Sequence, residues 1–493
     1  MLFNSHIFIL LFLPLVVLFH DLVSRYPKAR QAVLLTASLF FYAYWSPWHL
    51  TLLVGSILIN YGLGELLHKT PSGSQRAKVW LTLGVSFNLL YLCAFKYADF
   101  IAEELSFLLP WQIPQLGWIL PLGISFYTFQ QISYFIDTYQ GQIKERDLLS
   151  YLTYVSFFPQ LIAGPIVRYV DVREAFLSPW TSADHLKERC SGLFLFTIGL
   201  AKKVLIADGI APYVDTLYQA VSEGHSPALL EAWLLVLIYP SQLYFDFSGY
   251  SDMAVGLALI FGIHISWNFN SPFRSCSVSE YWQRWHMSLT QCFQRYLFNP
   301  IAMSLRHRKS QWVRQTFPFV ITLTLIGIWH GAGWTFFIFG FSHGLALAIT
   351  QVWRSLPLSR RIKLPRSICW ALTFLTVVMA LVWFRAPDVP SAIRVFCGVL
   401  GLEGMAIHPA LGISPGEWVR HTYYLFPALH QFSTWAPIVA SLPAWLLVMF
   451  APTSQTLLQR FKTNYAFLTF SVILLAICIL KINEVSVFLY YQF

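Results

Sequence analysis

Apolar residues recur along the chain in runs that approach or reach the roughly 20 residues needed to cross a bilayer. The clearest are Ile7–Phe19, Ala32–Tyr44, Leu50–Leu67, Val79–Phe95, Gly117–Ile136 and Gly192–Leu205, followed by Leu229–Phe245, Phe317–Trp329, Trp334–Val352, Ile368–Phe384, Pro437–Phe450 and Ala466–Leu480. They predict an all-α, polytopic integral membrane protein with about 11–13 membrane helices. The shortest runs suit re-entrant or interfacial pieces. Residues 1–493 read as a single membrane-embedded domain. The first run has no basic start, and His20-Asp21 follows it without a small-residue cleavage site, so it reads as a retained helix.

Charge gives the runs an orientation. Arg274, Arg284, Arg295, Arg306, Arg308, Lys309 and Arg314 face a single acidic residue, Glu280, in one segment. Arg354, Arg360, Arg361, Lys363 and Arg366 form a second basic stretch. Both abut apolar runs, as cytoplasmic loops do, and anionic headgroups attract such stretches. This placement assigns the net charge of +10 to topology and the lipid bilayer and points away from nucleic acid. The segments Arg25–Arg30 and Lys69–Lys78 also fall in the cytoplasm, and the N-terminus falls outside. The stretch Phe317–Val352 lies between the two basic clusters, so it is expected to enter from the cytoplasm and return, with its tip at Gly331–Gly333. About thirteen helical residues at about 1.5 Å each carry His330 roughly 20 Å inward. Ala386–Thr434 reads as an outer-face excursion capped by a short helix, and Val485–Phe493 as an interfacial ending.

Composition supports the membrane class. The chain is 56% hydrophobic and 11% charged, against roughly 25% charged in a soluble domain. Seven scattered cysteines without C-x-x-C spacing indicate neither a disulfide framework nor a zinc site.

Candidate chemistry begins with Trp329-His330-Gly331-Ala332-Gly333-Trp334. An ionisable side chain at membrane depth is costly and marks function by default, and histidine exchanges protons near neutral pH. The alternative for His330 is a hydrogen-bonded packing residue. In Ser279–Phe298, Trp282, Trp285, Leu289, Phe293 and Tyr296 form one stripe at about 100° per residue. Arg284, Ser288, Gln291 and Arg295 lie opposite, so the pattern predicts an amphipathic helix along the cytoplasmic face. His286 projects from the edge of the aromatic stripe, aimed inward. His343 stands among Gly340, Gly344 and aromatics, where close helix contact is expected, and suits a packing or a supporting role. Asp246 and Asp252 read either as carboxylates that orient an imidazole or pair with an arginine, or as helix caps. Arg168, after Gly164-Pro165, reads as a contact for an anionic donor or as part of a turn. Trp329 and Trp334 flank the principal histidine. There is no G-x-S-x-G elbow, no H-E-x-x-H helix and no glycine followed by lysine. What remains is a histidine-centred membrane site without metal.

Five stretches carry a family likeness: PLGISFYTFQQISYFIDTY (121–139), FPQLIAGPIVRY (158–169), YFDFSGYSDMAVGLALIFGI (244–263), NFNSPFRSCSVSEYWQRWHMSL (268–289) and GIWHGAGWTFFIFGFSHG (327–344). With them the chain resembles the membrane-bound O-acyltransferase family, in its bacterial, alginate-acetylating branch, over nearly its whole length. The resemblance implies an O-acyltransferase of the bacterial inner membrane. It would pass an acyl group, acetyl first, from a cytoplasmic thioester toward O-acetylation of an extracytoplasmic polysaccharide such as alginate. Peptidoglycan O-acetylation and teichoic-acid D-alanylation are the alternatives within the fold; a transporter or scaffold is the alternative of another class. His330 would be the principal catalytic residue and His286 the second. No tightly bound cofactor is implied, the donor being acetyl-coenzyme A or an acyl carrier protein. An extracytoplasmic acetyltransferase would be a partner. The polymer is not encoded in these motifs.

Overall fold

The computed structural model describes residues 1–178, 180, 185–357, 364–406, 419–420, 436–482 and 488–489. They are helical almost throughout, the one strand pairing being Met405–Ala406 beside Val419–Arg420. The protein is thus all-α, multi-pass and membrane-embedded. Many helices open as their sequences dictate. Ser74 accepts a hydrogen bond from the Ala77 N–H, Asp147 from Ser150, and Asn464 from Phe467, which satisfies amide groups that the first turn leaves unpaired.

Among the described residues five helices are long and apolar enough to cross a membrane: Pro47–His68, Gln75–Lys96, His185–Ser222, Trp334–Ser355 and Arg366–Arg385. A sixth is counted if Ile438–Phe450 and Ser454–Arg460 form one broken crossing. This is fewer than the apolar runs suggest, for identifiable reasons. Phe8–Leu22 and Tyr465–Lys481 are apolar but short. In Gly117–Ile136 the helix starts only at Ile124, after Gly123, whose φ of 73° is left-handed. A side chain at Gly123 would collide with the Leu161 carbonyl, so the chain turns there. Leu229–Ile260 carries Gln242, Asp246, Ser248, Ser251 and Asp252 in its interior, which dilutes its apolar character.

The described residues form two compact units. The first comprises Met1–Ala201, Ser248–Asn268 and Ser454–Gln492, and its interior is rich in paired polar groups. Asn60 and Asn88 exchange side-chain hydrogen bonds at 3.3 and 2.5 Å between the helices Pro47–His68 and Gln75–Lys96. Gln131 donates to Ser56 at 3.1 Å and Gln31 to Ser150 at 3.0 Å. Arg146 is buried against Glu65 at 3.0 Å, with its guanidinium over the Tyr61 ring. Such bonds fix which helix faces meet where burial of apolar surface alone does not.

The second unit comprises Lys202–Phe247 and Phe269–Thr453 and holds the tryptophan- and histidine-rich motifs. The short helix Val389–Val399 lies within it, as expected for the cap of Ala386–Thr434. Residues 407–418 and 421–434 of that stretch, most of Val485–Phe493, and Arg360, Arg361 and Lys363 lie outside the described residues.

The Asn60–Asn88 exchange is testable by a double-mutant cycle with leucine at each position, read by thermal unfolding in detergent. The expected coupling is about 0.6–2 kcal/mol. A coupling near zero would mean that the two amides merely coincide.

Candidate active site

Ser310 opens the helix Gln311–His330 by accepting from the Val313 N–H at 3.4 Å. The chain turns through Gly331–Gly333 and returns as Trp334–Ser355, the hairpin and tip expected from the flanking charges. The two helices touch backbone to backbone. A side chain at Gly340 would collide with the Leu323 carbonyl, and one at Gly327 with the Phe336 carbonyl. A Cβ on Gly344 would stand 2.8 Å from Val320 Cα. His330 follows Gly327 by one helical turn and His343 follows Gly340 by one, so both leave the hairpin next to this seam.

His286 arrives from a segment that differs from its expected form. Ser279–Phe298 is not one amphipathic helix along the surface. Val278–Trp282 and Met287–Phe293 are separate short helices, and His286 joins them with φ 42° and ψ 55°. Trp282 packs on His343 at 5.2 Å between ring centroids, Phe293 on Trp329 at 6.4 Å, and Phe298 on Phe319 at 4.8 Å. Trp329 lies about 15 Å beyond Phe319 along its helix, at about 1.5 Å per residue. The segment therefore climbs beside the hairpin to His286 and descends again. Left-handed backbone at a non-glycine residue costs about 1–3 kcal/mol and persists where its surroundings impose it. Histidine tolerates it better than β-branched residues do.

Aromatic rings join the three histidines. His286 is fully buried, 4.7 Å from the Phe247 ring and 6.5 Å from Trp329. Trp329 lies 4.8 Å from His330. Phe339 stands between the other two imidazoles, 6.0 Å from His330 and 4.9 Å from His343. Phe384 closes on His330 at 5.1 Å. Below them, a cavity of about 130 Å³ separates the climbing segment from the hairpin. Its lining is uncharged and includes Trp282, Gln283, Thr290, Gln294 and Thr322.

The remaining candidates divide. Asp246 is buried in the same unit and accepts from Lys203 Nζ at 2.7 Å; Lys203 also meets Asp208 at 2.7 Å. A lysine is thus an ionic partner of Asp246 that was not among those weighed from the sequence. Asp246 immediately precedes Phe247, whose ring packs on His286. Trp334 is 53% exposed and packs beside Phe337. Asp252 and Arg168 belong to the first unit. Asp252 accepts from Ser454 Oγ at 2.6 Å. Arg168 grips Asp171 through two bonds of 3.0 and 2.7 Å and stands 3.7 Å from Asp137. Carboxylates thus meet its charge. Lys203 and Asp208 escaped the sequence reading, although Lys202-Lys203 interrupts the otherwise apolar Gly192–Leu205 and was a usable signal. Among the described residues no three His, Cys, Asp or Glu side chains converge to hold a metal ion.

Comparison with known proteins follows the same motifs. The family model for MBOAT, the membrane-bound O-acyltransferase family, matches residues 137–385. A peptidoglycan O-acetyltransferase of Helicobacter pylori is 34% identical over 100% of this chain and 98% of its own length. A protein of Azotobacter vinelandii named "Probable alginate O-acetylase AlgI" is 39% identical over 81% of this chain and 78% of its own. A teichoic acid D-alanyltransferase of Bacillus subtilis is 31% identical over 46% of this chain and 58% of its own.

Two stability measurements check this geometry. Lys203→Met strands a buried Asp246 and is expected to destabilise by about 3–5 kcal/mol, whereas combining it with Asp246→Leu recovers most of that loss. An equal loss in single and double variants would mean the pair is not coupled. At the left-handed position, His286→Val is expected to unfold at lower temperature than His286→Asn, by a penalty of about 1–3 kcal/mol. Equal midpoints would show that the backbone there relaxes.

Proposed function

The chain belongs to the membrane-bound O-acyltransferase family and is an O-acyltransferase; from that premise we propose that it passes an acetyl group from a cytoplasmic thioester across the membrane for O-acetylation of an extracytoplasmic polysaccharide. The observation that carries this reading is His330 at the tip of a glycine-packed hairpin, joined to His286 through one indole ring. The acetyl group is favoured by the O-acetylation named for its most extensively matching relatives. Alginate-like polymer is the first acceptor. Peptidoglycan is the second, favoured because the relative named for it aligns with the whole chain. The seat of the reaction is the bacterial inner membrane, with the basic loops in the cytoplasm.

In the proposed step His330, neutral, takes the proton of an acceptor hydroxyl as its oxygen attacks the thioester carbonyl. The carbon–oxygen bond forms, the carbon–sulfur bond breaks, and the departing thiolate takes the proton back from His330, so the histidine ends as it began. General-base assistance of this kind typically contributes 10²–10⁴-fold. His286 orients the donor carbonyl from the cytoplasmic side, and Phe247, fixed next to the Lys203–Asp246 pair, holds its ring. The uncharged cavity between Trp282 and Thr322 suits the amide-bearing arm of acetyl-coenzyme A or an acyl carrier protein. An extracytoplasmic acetyltransferase completes delivery to the polymer.

His330→Ala is expected to lower the O-acetyl content of cell-surface glycan at least 100-fold, measured by mass spectrometry, with the protein still inserted and expressed. Undiminished acetylation in that strain would remove His330 from the chemistry.

A further inference from the structure

The first unit carries an open cavity that the proposed transfer does not use. Helix His185–Ala201 runs against residues 248–260 at the end of Leu229–Ile260, and the two touch through glycine. A side chain at Gly192 would collide with the Gly256 carbonyl, and one at Gly256 with the Gly192 carbonyl. Beyond this contact the chain leaves the second helix, turning at Gly262 with φ 71°. There the seam opens into a cavity of about 410 Å³, within the usual size of a ligand site. Its floor is aliphatic, with Val255, Leu259 and Ile263 buried. Its rim carries Lys187, Glu188, His264 and Trp267, and the His264 side chain is 72% exposed.

The opening lies at one end of a helix long and apolar enough to cross the bilayer. Arg189, two residues from Lys187, bonds Asp21 at 2.6 Å. Asp21 leads into the basic segment Arg25–Arg30, which the positive-inside rule places in the cytoplasm. The cavity thus stands where inner-leaflet headgroups meet their chains, the depth at which tryptophan is enriched.

We infer that this cavity binds one phospholipid of the cytoplasmic leaflet, through a headgroup that carries both a phosphate and a primary ammonium. An aliphatic floor under an ionic rim matches an acyl chain under its headgroup. Lys187, exposed at the rim, supplies a cation for the phosphate. Glu188 supplies a carboxylate for the ammonium; its contact with the exposed His264, at 3.4 Å, is of the weak surface kind that a ligand can join or replace. Opposite charges on adjacent residues select the head. A glycerol head brings net negative charge to Glu188, and a choline head has no N–H to donate to it.

The test uses the purified full-length protein in detergent, with lipids of one chain composition added at equal mole fraction and thermal unfolding as the readout. Phosphatidylethanolamine is expected to bind about 10-fold more tightly than phosphatidylcholine or phosphatidylglycerol, the worth of one charge-assisted hydrogen bond, and to raise the midpoint more. This ranking on the wild type decides the proposal without any variant. Glu188→Gln is expected to bring phosphatidylethanolamine down to the level of phosphatidylcholine, and Lys187→Gln to weaken both. Chain-free glycerophosphoethanolamine is expected to give no shift at the same concentration, since it leaves the aliphatic floor empty. Equal shifts from the three lipids, or a preference for phosphatidylglycerol, would overturn the proposal. So would an ethanolamine preference that survives Glu188→Gln, or an equal shift from the chain-free compound, which would make the occupant a soluble molecule.

Discussion

A histidine proposed as a base inside a membrane must be held still without being solvated, and the surroundings of His330 rest on helix contact through glycine. The hairpin Gln311–Ser355 is closed by Gly327, Gly340 and Gly344, each of which would drive the helices apart if it carried a side chain. Dispersion contacts fall off steeply with separation, so the seam is sensitive to a single methyl group. The same seam places Trp329 and Phe339 against His330, and Phe339 against His343. Lose it, and the cluster that receives His286 has no floor.

The strained backbone at His286 gains its meaning from that floor. A residue in left-handed conformation persists when its neighbours over-determine it, and here they do so from two directions. Phe247 holds the ring edge-on from the helix Leu229–Ile260, and Trp329 receives it from the hairpin. Phe247 is in turn next to Asp246, whose bond to Lys203 ties that helix to the stretch Lys202–Ala207. A buried ion pair contributes little net stability. Its use here is positional: it fixes the rotation of a helix whose next residue touches the second imidazole.

How far this was legible in the sequence follows from which forces write themselves into local pattern. The hairpin, its tip and His330 could be read because apolar length, flanking arginines and paired glycines are all local signals. The convergence of His286 and His343 on His330 could be guessed from aromatic spacing but not located. The break at His286 was hidden, since Gln283–Met287 contains neither glycine nor proline and the stripe of Trp282, Trp285 and Leu289 continues as though the helix did. The lysine partner of Asp246 lies 43 positions away, and no periodicity connects them. Among the described residues fewer helices are long and apolar enough to cross a membrane than there are apolar runs, because such runs report burial as readily as they report lipid, and Leu229–Ile260 buries polar groups among its apolar ones.

The proposed transfer asks one membrane protein to serve two aqueous compartments. Under that proposal a cytoplasmic thioester and an outer-side acceptor would need two approaches meeting at one imidazole. An uncharged cavity with amide and hydroxyl groups in its wall would suit a neutral arm better than a polyanion. On the opposite side, the hairpin tip and the end of helix Arg366–Arg385 bring a guanidinium within one residue of the ring that packs on His330. Segregating neutral from charged lining would give each substrate of the proposed transfer an approach that the other has little reason to enter.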